Sequence, residues 1–310
     1  MRYTWQPSPK FSDGSPVEAW NQAVYGGLLD DFEQFEFDRQ HSYIKLTGRH
    51  RHTGQTVNRR IPISYRTDQK YQNRILARFY KLDQWYKQLP VWKLGVSMVT
   101  LTSKQRGFSY FEQYNFIQEC FRTWRDNVRK RVELGESVLI GEPHESGYLH
   151  YHILYFKEFS EAEQEILKNA WLATGAGNDH SFKCDVSKQL RRARNYLMKY
   201  IKKTLLMEDN SGDMLADSDL KRFDSSDSDL HFLIFNAVLW KLNKHDNEYK
   251  GVRVFQMSRG LSKITKLDKY GEDCFIDWYL VEFVTPMGEV FPIHEKPVPD
   301  FNPPDIPNFA

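Results

Sequence analysis

Two histidines separated by a single residue, His150 and His152, lie in the stretch LHYHILYF. Its apolar and aromatic residues predict a packed β-strand, in which alternate side chains share a face. Both imidazoles then project from one side of the strand, about 7 Å apart, and can bind a single metal ion. The alternative interpretation is a pair of half-buried histidines that only pack on a sheet.

A second His-x-His pair, His50 and His52, offers an internal comparison. It lies in GRHRHTG, among arginines and beside glycines that indicate a turn. Histidines there would be solvated, and the arginines would repel a cation. We therefore exclude this pair as a metal site.

A metal ion also needs an anionic ligand. Glu142 precedes His150 by eight residues, on the preceding strand of a predicted hairpin, and is placed to come alongside the histidines. Glu145 is a weaker candidate, because the turn GEPHESG should carry it away. One carboxylate and two imidazoles would accept Mn²⁺ or Mg²⁺, and the sequence leaves other divalent ions open.

A basic segment, KQLRRARNYLMKYIKK, runs from Lys188 to Lys203 without an acidic residue and predicts a helix that faces phosphates. Tyr196 and Tyr200 are four residues apart and share a helix face. A phenol attacks phosphorus poorly unless a metal withdraws charge from the phosphate and nearby lysines stabilise the anions. An amphipathic helix whose tyrosines border the core is the alternative. The candidate phosphate-binding residues are Arg191, Arg192, Arg194, Lys199 and Lys202, with Lys203 beside the tyrosines.

A frame of strands and helices must position these residues. The stretch 96–102 is rich in β-branched residues and predicts a buried strand, and an aromatic helix pattern follows over 110–132. Further strands are predicted over 137–140, 149–156 and about 182–186. Ser160 opens a helix that ends near Gly175, and another helix spans about 187–206. The pattern indicates a sheet with helices.

Composition excludes several protein classes. Hydrophobic residues make up 40% and charged residues 27%, which is typical of a globular protein, and the net charge of +2 neither demands nor excludes nucleic acid. Three scattered cysteines indicate neither a disulfide framework nor a cysteine zinc site. The sequence shows no signal-peptide core and no apolar run long enough for a bilayer, so we expect a cytoplasmic protein without a membrane partner.

Three segments, in order, resemble those of a known family. VTLT (Val99 to Thr102), HYHILYF and YLMKYIKK are similar to the motifs of HUH endonucleases that initiate rolling-circle replication of small plasmids and single-stranded DNA viruses, in particular their two-tyrosine branch. The resemblance covers about a third of the chain, from Val96 to Lys203. It implies an α+β fold in which an antiparallel sheet is flanked by helices.

The resemblance also implies roles for particular residues. His150 and His152 take the metal-ligand positions, Tyr200 takes the position of the lead nucleophile, and Tyr196 that of the second. Such enzymes cut a single-stranded or hairpin origin and keep a 5′-phosphotyrosine link. The free 3′-OH primes synthesis, and a second transfer rejoins the strand.

The chain then divides into four predicted segments. They are an N-terminal elaboration (1–90), an HUH-type catalytic domain (91–207), an acidic mobile loop (208–229) and a C-terminal extension with a Pro-rich tail (230–310). The last segment predicts a helix over 230–242 and a hairpin over 278–293. No phosphate-binding loop of the form GxxxxGKS or GxxxxGKT is present, so a host helicase, together with a host DNA polymerase, is an expected partner.

The same residues are compatible with other functions. A transposase or mobilisation relaxase uses the same chemistry for another genetic outcome. A metallohydrolase would activate water at the histidines without a covalent intermediate. A non-catalytic DNA-binding protein would use the basic helix alone.

Overall fold

The computed structural model describes residues 9–63, 65, 68–89, 95–187, 229–243, 252–266 and 276–296. The described part is an α+β protein with two antiparallel sheets and flanking helices, which confirms the expected fold class. In chain order its elements are α1 (Glu18–Tyr25), α2 (Leu28–His41), β1 (Tyr43–His50), β2 (Thr56–Pro62), α3 (Gln69–Lys87), β3 (Val96–Leu101), α4 (Tyr110–Val128), β4 (Ser137–Pro143), β5 (Leu149–Tyr155), α5 (Glu161–Leu172), β6 (Phe182–Ser187), α6 (Asp229–Leu242), β7 (Phe255–Met257), α7 (Arg259–Ile264), β8 (Ile276–Val284) and β9 (Val290–Glu295).

The chain forms two compact units that are both discontinuous in sequence. The first comprises Met1–Leu29 and Gln72–Lys266, and the second Asp30–Tyr71 and Leu267–Ala310. The four linear segments proposed from the sequence stay a prediction. The first residue of the helix predicted over 187–206, Ser187, is the last residue of β6, and residues 188–206 lie outside the described residues. The predicted acidic loop also lies outside them, except for Asp229, where α6 begins.

The first unit is built on a five-stranded sheet in the order β6, β3, β5, β4, β7. Every neighbouring pair of these strands is antiparallel. The central strand β5 has a nearly continuous row of buried residues, as expected for a strand covered on both faces. Tyr151 of β5 meets Phe121 of α4 at a ring-centroid distance of 5.2 Å, so α4 covers one face of this sheet.

Helices α4 and α5 begin where the sequence places capping residues. Ser109 accepts a hydrogen bond from the backbone N–H of Glu112, whose carboxylate accepts one from the Ser109 N–H. Ser160 and Glu163 form the same reciprocal pair in front of α5. These capping boxes satisfy N–H groups that have no partner within the helix.

Two predicted boundaries are wrong. The helix predicted to reach residue 132 ends at Val128, because the chain turns there and the Arg131 N–H donates to the Val128 carbonyl at 2.9 Å. The strand predicted to end at residue 140 continues to Pro143, because three residues assigned to the turn still pair with β5.

The second unit contains a four-stranded sheet in the order β2, β1, β8, β9. Its two outer strands are joined to their neighbours by hairpins, one from β1 to β2 and one from β8 to β9. The second hairpin confirms the one predicted over 278–293. The central strands, β1 and β8, come from distant parts of the sequence, and sequence periodicity gives no information about their pairing.

Candidate metal centre

The hairpin of β4 and β5 brings a carboxylate next to the two histidines. Glu142 lies directly across the strand pair from His150, and Ile140 lies across from His152. Directly opposed residues of an antiparallel pair project from the same face. The predicted carboxylate ligand and the predicted histidine pair therefore share one face of the sheet, opposite the side on which Tyr151 packs against α4.

The three side chains converge on one point. Oε1 of Glu142 is 2.8 Å from Nε2 of His150 and 2.8 Å from Nε2 of His152, and the two Nε2 atoms are 3.1 Å apart. Ligands held at right angles around an ion about 2.1 Å away lie roughly 3.0 Å from one another. These separations fit adjacent ligands of one divalent ion. No other group of three His, Cys, Asp or Glu side chains suited to a metal is found in the described ranges.

Burial supports a bound cation rather than a chance cluster. Glu142 and His152 are only 5% and 3% exposed. Oε2 of Glu142 is buried and has no hydrogen-bond partner within the part of the chain that the structure describes. A buried carboxylate oxygen without a partner is costly, and a metal ion would compensate it.

The protonation states also suit a metal. Burial raises the pKa of the Glu142 carboxyl, but hydrogen bonds and charge interactions with His150 and His152 together outweigh burial and hold that pKa below its ordinary value. Burial lowers the pKa of His150 by more than its hydrogen bond to Glu142 raises it. An ionised carboxylate and a neutral imidazole are the forms that bind metal.

Thr100 of β3 contacts the other side of the His152 ring. Its Oγ1 lies 3.0 Å from Nδ1 of His152, directly across the β3–β5 pair. If Nε2 binds a metal, the neutral ring carries its proton on Nδ1 and donates it to the threonine hydroxyl. The contact would thus fix both the tautomer and the orientation of His152.

Helix α4 holds the turn that precedes β5. The hydroxyl groups of Tyr110 and Tyr114 donate to the carbonyls of Ser146 and Gly147, each at 2.7 Å. Gly147 has a φ of +83°, and a Cβ there would approach Oη of Tyr110 to 2.6 Å, so both conformation and space require glycine. The turn is therefore held in a defined position relative to α4.

Gln113 of α4 binds the first residue of β5. Its side-chain amide donates to the Leu149 carbonyl at 2.8 Å and to Oγ of Ser103 at 2.8 Å, and its carbonyl accepts from the Leu149 N–H at 3.0 Å. Gln113 is fully buried. The residue next to His150 is thereby anchored to α4 through both of its backbone polar groups.

Sequence reasoning missed Thr100, Gln113 and His144 as parts of this site. The His144 ring lies 5.9 Å from that of His150, and its Nδ1 is 3.2 Å from Oγ of Ser146. Only its place in the turn between the two ligand-bearing strands could have indicated its proximity. Glu145 is exposed, in agreement with the expectation that the turn carries it away.

The predicted tyrosines and basic residues lie outside the described residues. Strand β6 ends at Ser187, one residue before that segment begins. The structure therefore brings together Glu142, His150 and His152 and leaves the second half of the predicted site as a prediction. The residues concerned are Tyr196, Tyr200, Lys203, Arg191, Arg192, Arg194, Lys199 and Lys202.

The excluded pair, His50 and His52, has different surroundings. The two rings are 5.7 Å apart, and the backbone N–H groups of His52 and Thr53 both point at Nδ1 of His50, at 3.3 Å. Neither histidine belongs to a group of three metal-binding side chains among the described residues.

Comparison with known proteins gives this site a functional context. Residues 96–205 match the family model of the replication-associated protein ORF2. No curated protein and no solved structure matches the chain. The matched segment is about a third of the chain and includes β3 to β6 and the whole Glu142, His150 and His152 group. The match supports a replication-initiator family and a role with DNA. No helix of the described part is long and apolar enough to cross a membrane.

Proposed function

We propose that this protein nicks and rejoins single-stranded DNA at a replication origin by metal-assisted tyrosine attack. The observation that carries the proposal is the convergence of Glu142, His150 and His152 inside the segment that matches replication-associated proteins. The chemical types of the three ligands, their burial and their separations suit a divalent ion with oxygen and nitrogen ligands. We propose Mn²⁺ or Mg²⁺.

The described residues prepare the site for phosphate. Glu142, His150 and His152 would hold the ion, which would withdraw negative charge from the phosphate to be cut. Thr100 orients His152, and Gln113 with the two tyrosines of α4 keeps the ligand-bearing hairpin in place. A site held by hydrogen bonds from neighbouring elements loses little energy to reorganisation during the reaction.

The covalent step is assigned to residues beyond the described part. Oη of Tyr200 loses its proton and attacks phosphorus, the bond from phosphorus to the 3′ oxygen breaks, and that oxygen takes up a proton to become a free 3′-OH. The phosphate stays on the 5′ side as an ester of Tyr200. Tyr196 serves as the second nucleophile when strands are rejoined. Lys203 stabilises the phenolate, and the DNA backbone is held by Arg191, Arg192, Arg194, Lys199 and Lys202.

The same chemistry would serve a transposase or relaxase, but the match to replication-associated proteins favours an initiator. Host helicase and DNA polymerase are the proposed partners, with single-stranded or hairpin origin DNA as substrate. A metallohydrolase would leave the tyrosines unused. A purely DNA-binding protein would leave the buried carboxylate unused.

The test incubates the protein with a library of labelled single-stranded and hairpin oligonucleotides and Mn²⁺, followed by a denaturing gel. We expect a protein-DNA adduct that chelator prevents. His150→Ala should abolish the adduct, whereas His294→Ala, which removes an exposed histidine of β9, should preserve it. Cleavage without an adduct would support a hydrolase, and binding insensitive to chelator without cleavage would support a DNA-binding protein.

A further inference from the structure

The β1–β2 hairpin of the second unit carries a concentration of cations. Between Ser42 and Thr67 the sequence has six Lys and Arg and no Asp or Glu. Five of the six lie on the described hairpin, and they are Lys45, Arg49, Arg51, Arg59 and Arg60. His50 and His52, which the metal site does not use, belong to the same hairpin.

The outer strand of this hairpin is accessible. Strand β2 is an edge strand of the four-stranded sheet, and Thr56, Asn58, Arg59 and Arg60 on it are all exposed. Arg59 and Arg60 are consecutive, so their side chains leave opposite faces of the strand. Arg51, in the turn, is also exposed. Cations therefore flank this edge of the sheet on both sides and continue into the turn.

Neighbouring residues orient some of these cations. Arg51 forms an ion pair with Asp277 of β8 at 2.7 Å, and Lys45 forms one with Glu282 at 2.8 Å. The guanidinium of Arg60 lies over the Tyr43 ring, 4.9 Å from its centroid. Both carboxylates belong to β8, and the hairpin itself contributes five Lys and Arg and no Asp or Glu, so its own charge is positive. A guanidinium bound to one carboxylate also retains N–H groups for a further acceptor.

Thr47 and Asn58 lie on the face of the hairpin that carries Lys45 and Arg60, and both can donate and accept hydrogen bonds. Thr47 and Asn58 lie across from each other and are linked by a hydrogen bond of 2.9 Å, next to the Lys45 and Arg60 pair. Proteins that bind single strands stack bases on exposed aromatic rings. Tyr43, the aromatic residue of the hairpin, is already covered by Arg60. Arginine, lysine, threonine and asparagine are among the residues that contact phosphates along a duplex.

We propose that the β1–β2 hairpin binds the phosphate backbone of double-stranded DNA. This inference rests on the proposed function, in which the protein acts on origin DNA. The hairpin and the metal centre belong to different compact units, so we expect duplex binding to need neither metal nor cleavage.

The experiment measures binding of the full chain to a labelled duplex of random sequence, without metal, by fluorescence anisotropy at several salt concentrations. The test variant replaces Arg51, Arg59 and Arg60 by Gln. Each lost phosphate contact lowers the slope of log affinity against log salt by about 0.9, so three contacts lower it by about 2.7. Raising salt from roughly 50 to 200 mM should then cost the unaltered protein about 40-fold more affinity than it costs the variant.

The matched control replaces three exposed cations of the first unit, Arg129, Lys130 and Arg131, by Gln and should keep the original slope. Equal losses in both triple variants would show general charge attraction and overturn the proposal, as would an unchanged slope in the test variant. A loss seen equally with single strands or with anionic vesicles would also overturn it. Adduct formation is measured separately on single strands with the unaltered protein and His150→Ala, so failure of nicking would be distinguishable from failure of duplex binding.

Discussion

Replacing Glu142 by glutamine keeps the shape of the side chain but removes the negative charge from the candidate metal centre. The carboxylate is buried and lies 2.8 Å from both histidine nitrogens, so its loss should act on metal binding directly. Glutamine can still hydrogen-bond to the imidazoles. We therefore expect the free energy of unfolding of the metal-free variant to lie within about 1 kcal/mol of that of the metal-free unaltered protein.

The size of the metal effect follows from linkage. Mn²⁺ at about 100 times its dissociation constant stabilises a folded protein by about 2.7 kcal/mol. Loss of a residue that only supports a metal ligand weakens binding roughly 10- to 100-fold, so loss of a ligand should cost at least about 100-fold. At the same Mn²⁺ concentration the variant then gains only about 0.4 kcal/mol. The difference corresponds to about 5 to 9 °C in Tm for a unit of this size.

The assay is thermal unfolding of both proteins with and without Mn²⁺, following the transition of the unit that carries the site. Glu145→Gln is the control, because it removes an exposed carboxylate only three residues away. It should retain the full Mn²⁺ shift. If Glu142→Gln were stabilised by Mn²⁺ as much as the control, Glu142 would not be a ligand.

Further predictions concern the residues that support the site and the fold around it. Thr100→Val should weaken Mn²⁺ binding about 10-fold in calorimetric titration, since His152 loses its Nδ1 partner, and Thr100→Ser should restore it; equal affinities in all three proteins would contradict this role. Gln113→Leu should lower the free energy of unfolding in urea by about 3 kcal/mol, because both polar groups of Leu149 lose a buried partner, and a loss under about 1 kcal/mol would refute it. The pKa of Glu163 is held below its ordinary value of 4.5, and the largest cause is a hydrogen bond from Lys157. The contribution of ionised Glu163 to stability should be fully present above pH 4.5 and lost as the pH falls through its lower pKa in the folded state. Urea titrations between about pH 5 and 3 should therefore show a shallower loss of stability in Glu163→Gln, and parallel curves would contradict the assignment.

The ligand group could be predicted from the sequence because it depends on local rules. Alternation along β5 puts His150 and His152 on one face, and a hairpin returns a residue about eight positions away to the adjacent strand. Glu142 lies at that distance from His150, and the register places it directly opposite. The rejection of His50 and His52 likewise needed only their neighbours in sequence.

The supporting residues could not be predicted because their partners are distant in sequence. Thr100 meets His152 through the β3–β5 register, across 52 residues. Gln113 is polar on an otherwise amphipathic helix and would be assigned to the surface, yet it is buried because it satisfies the backbone of Leu149. The second sheet depends on the pairing of β1 with β8, which no local pattern reports.

The most direct test of the proposed mechanism identifies the residue that becomes linked to DNA. The protein is trapped after one round of Mn²⁺-dependent cleavage of a single-stranded oligonucleotide, digested, and analysed by mass spectrometry. We predict a nucleotide on Tyr200, a much larger loss of first cleavage in Tyr200→Phe than in Tyr196→Phe, and no linkage in the double variant. A 5′-phosphate released free, or a linkage to a residue other than these two tyrosines, would contradict the proposed mechanism.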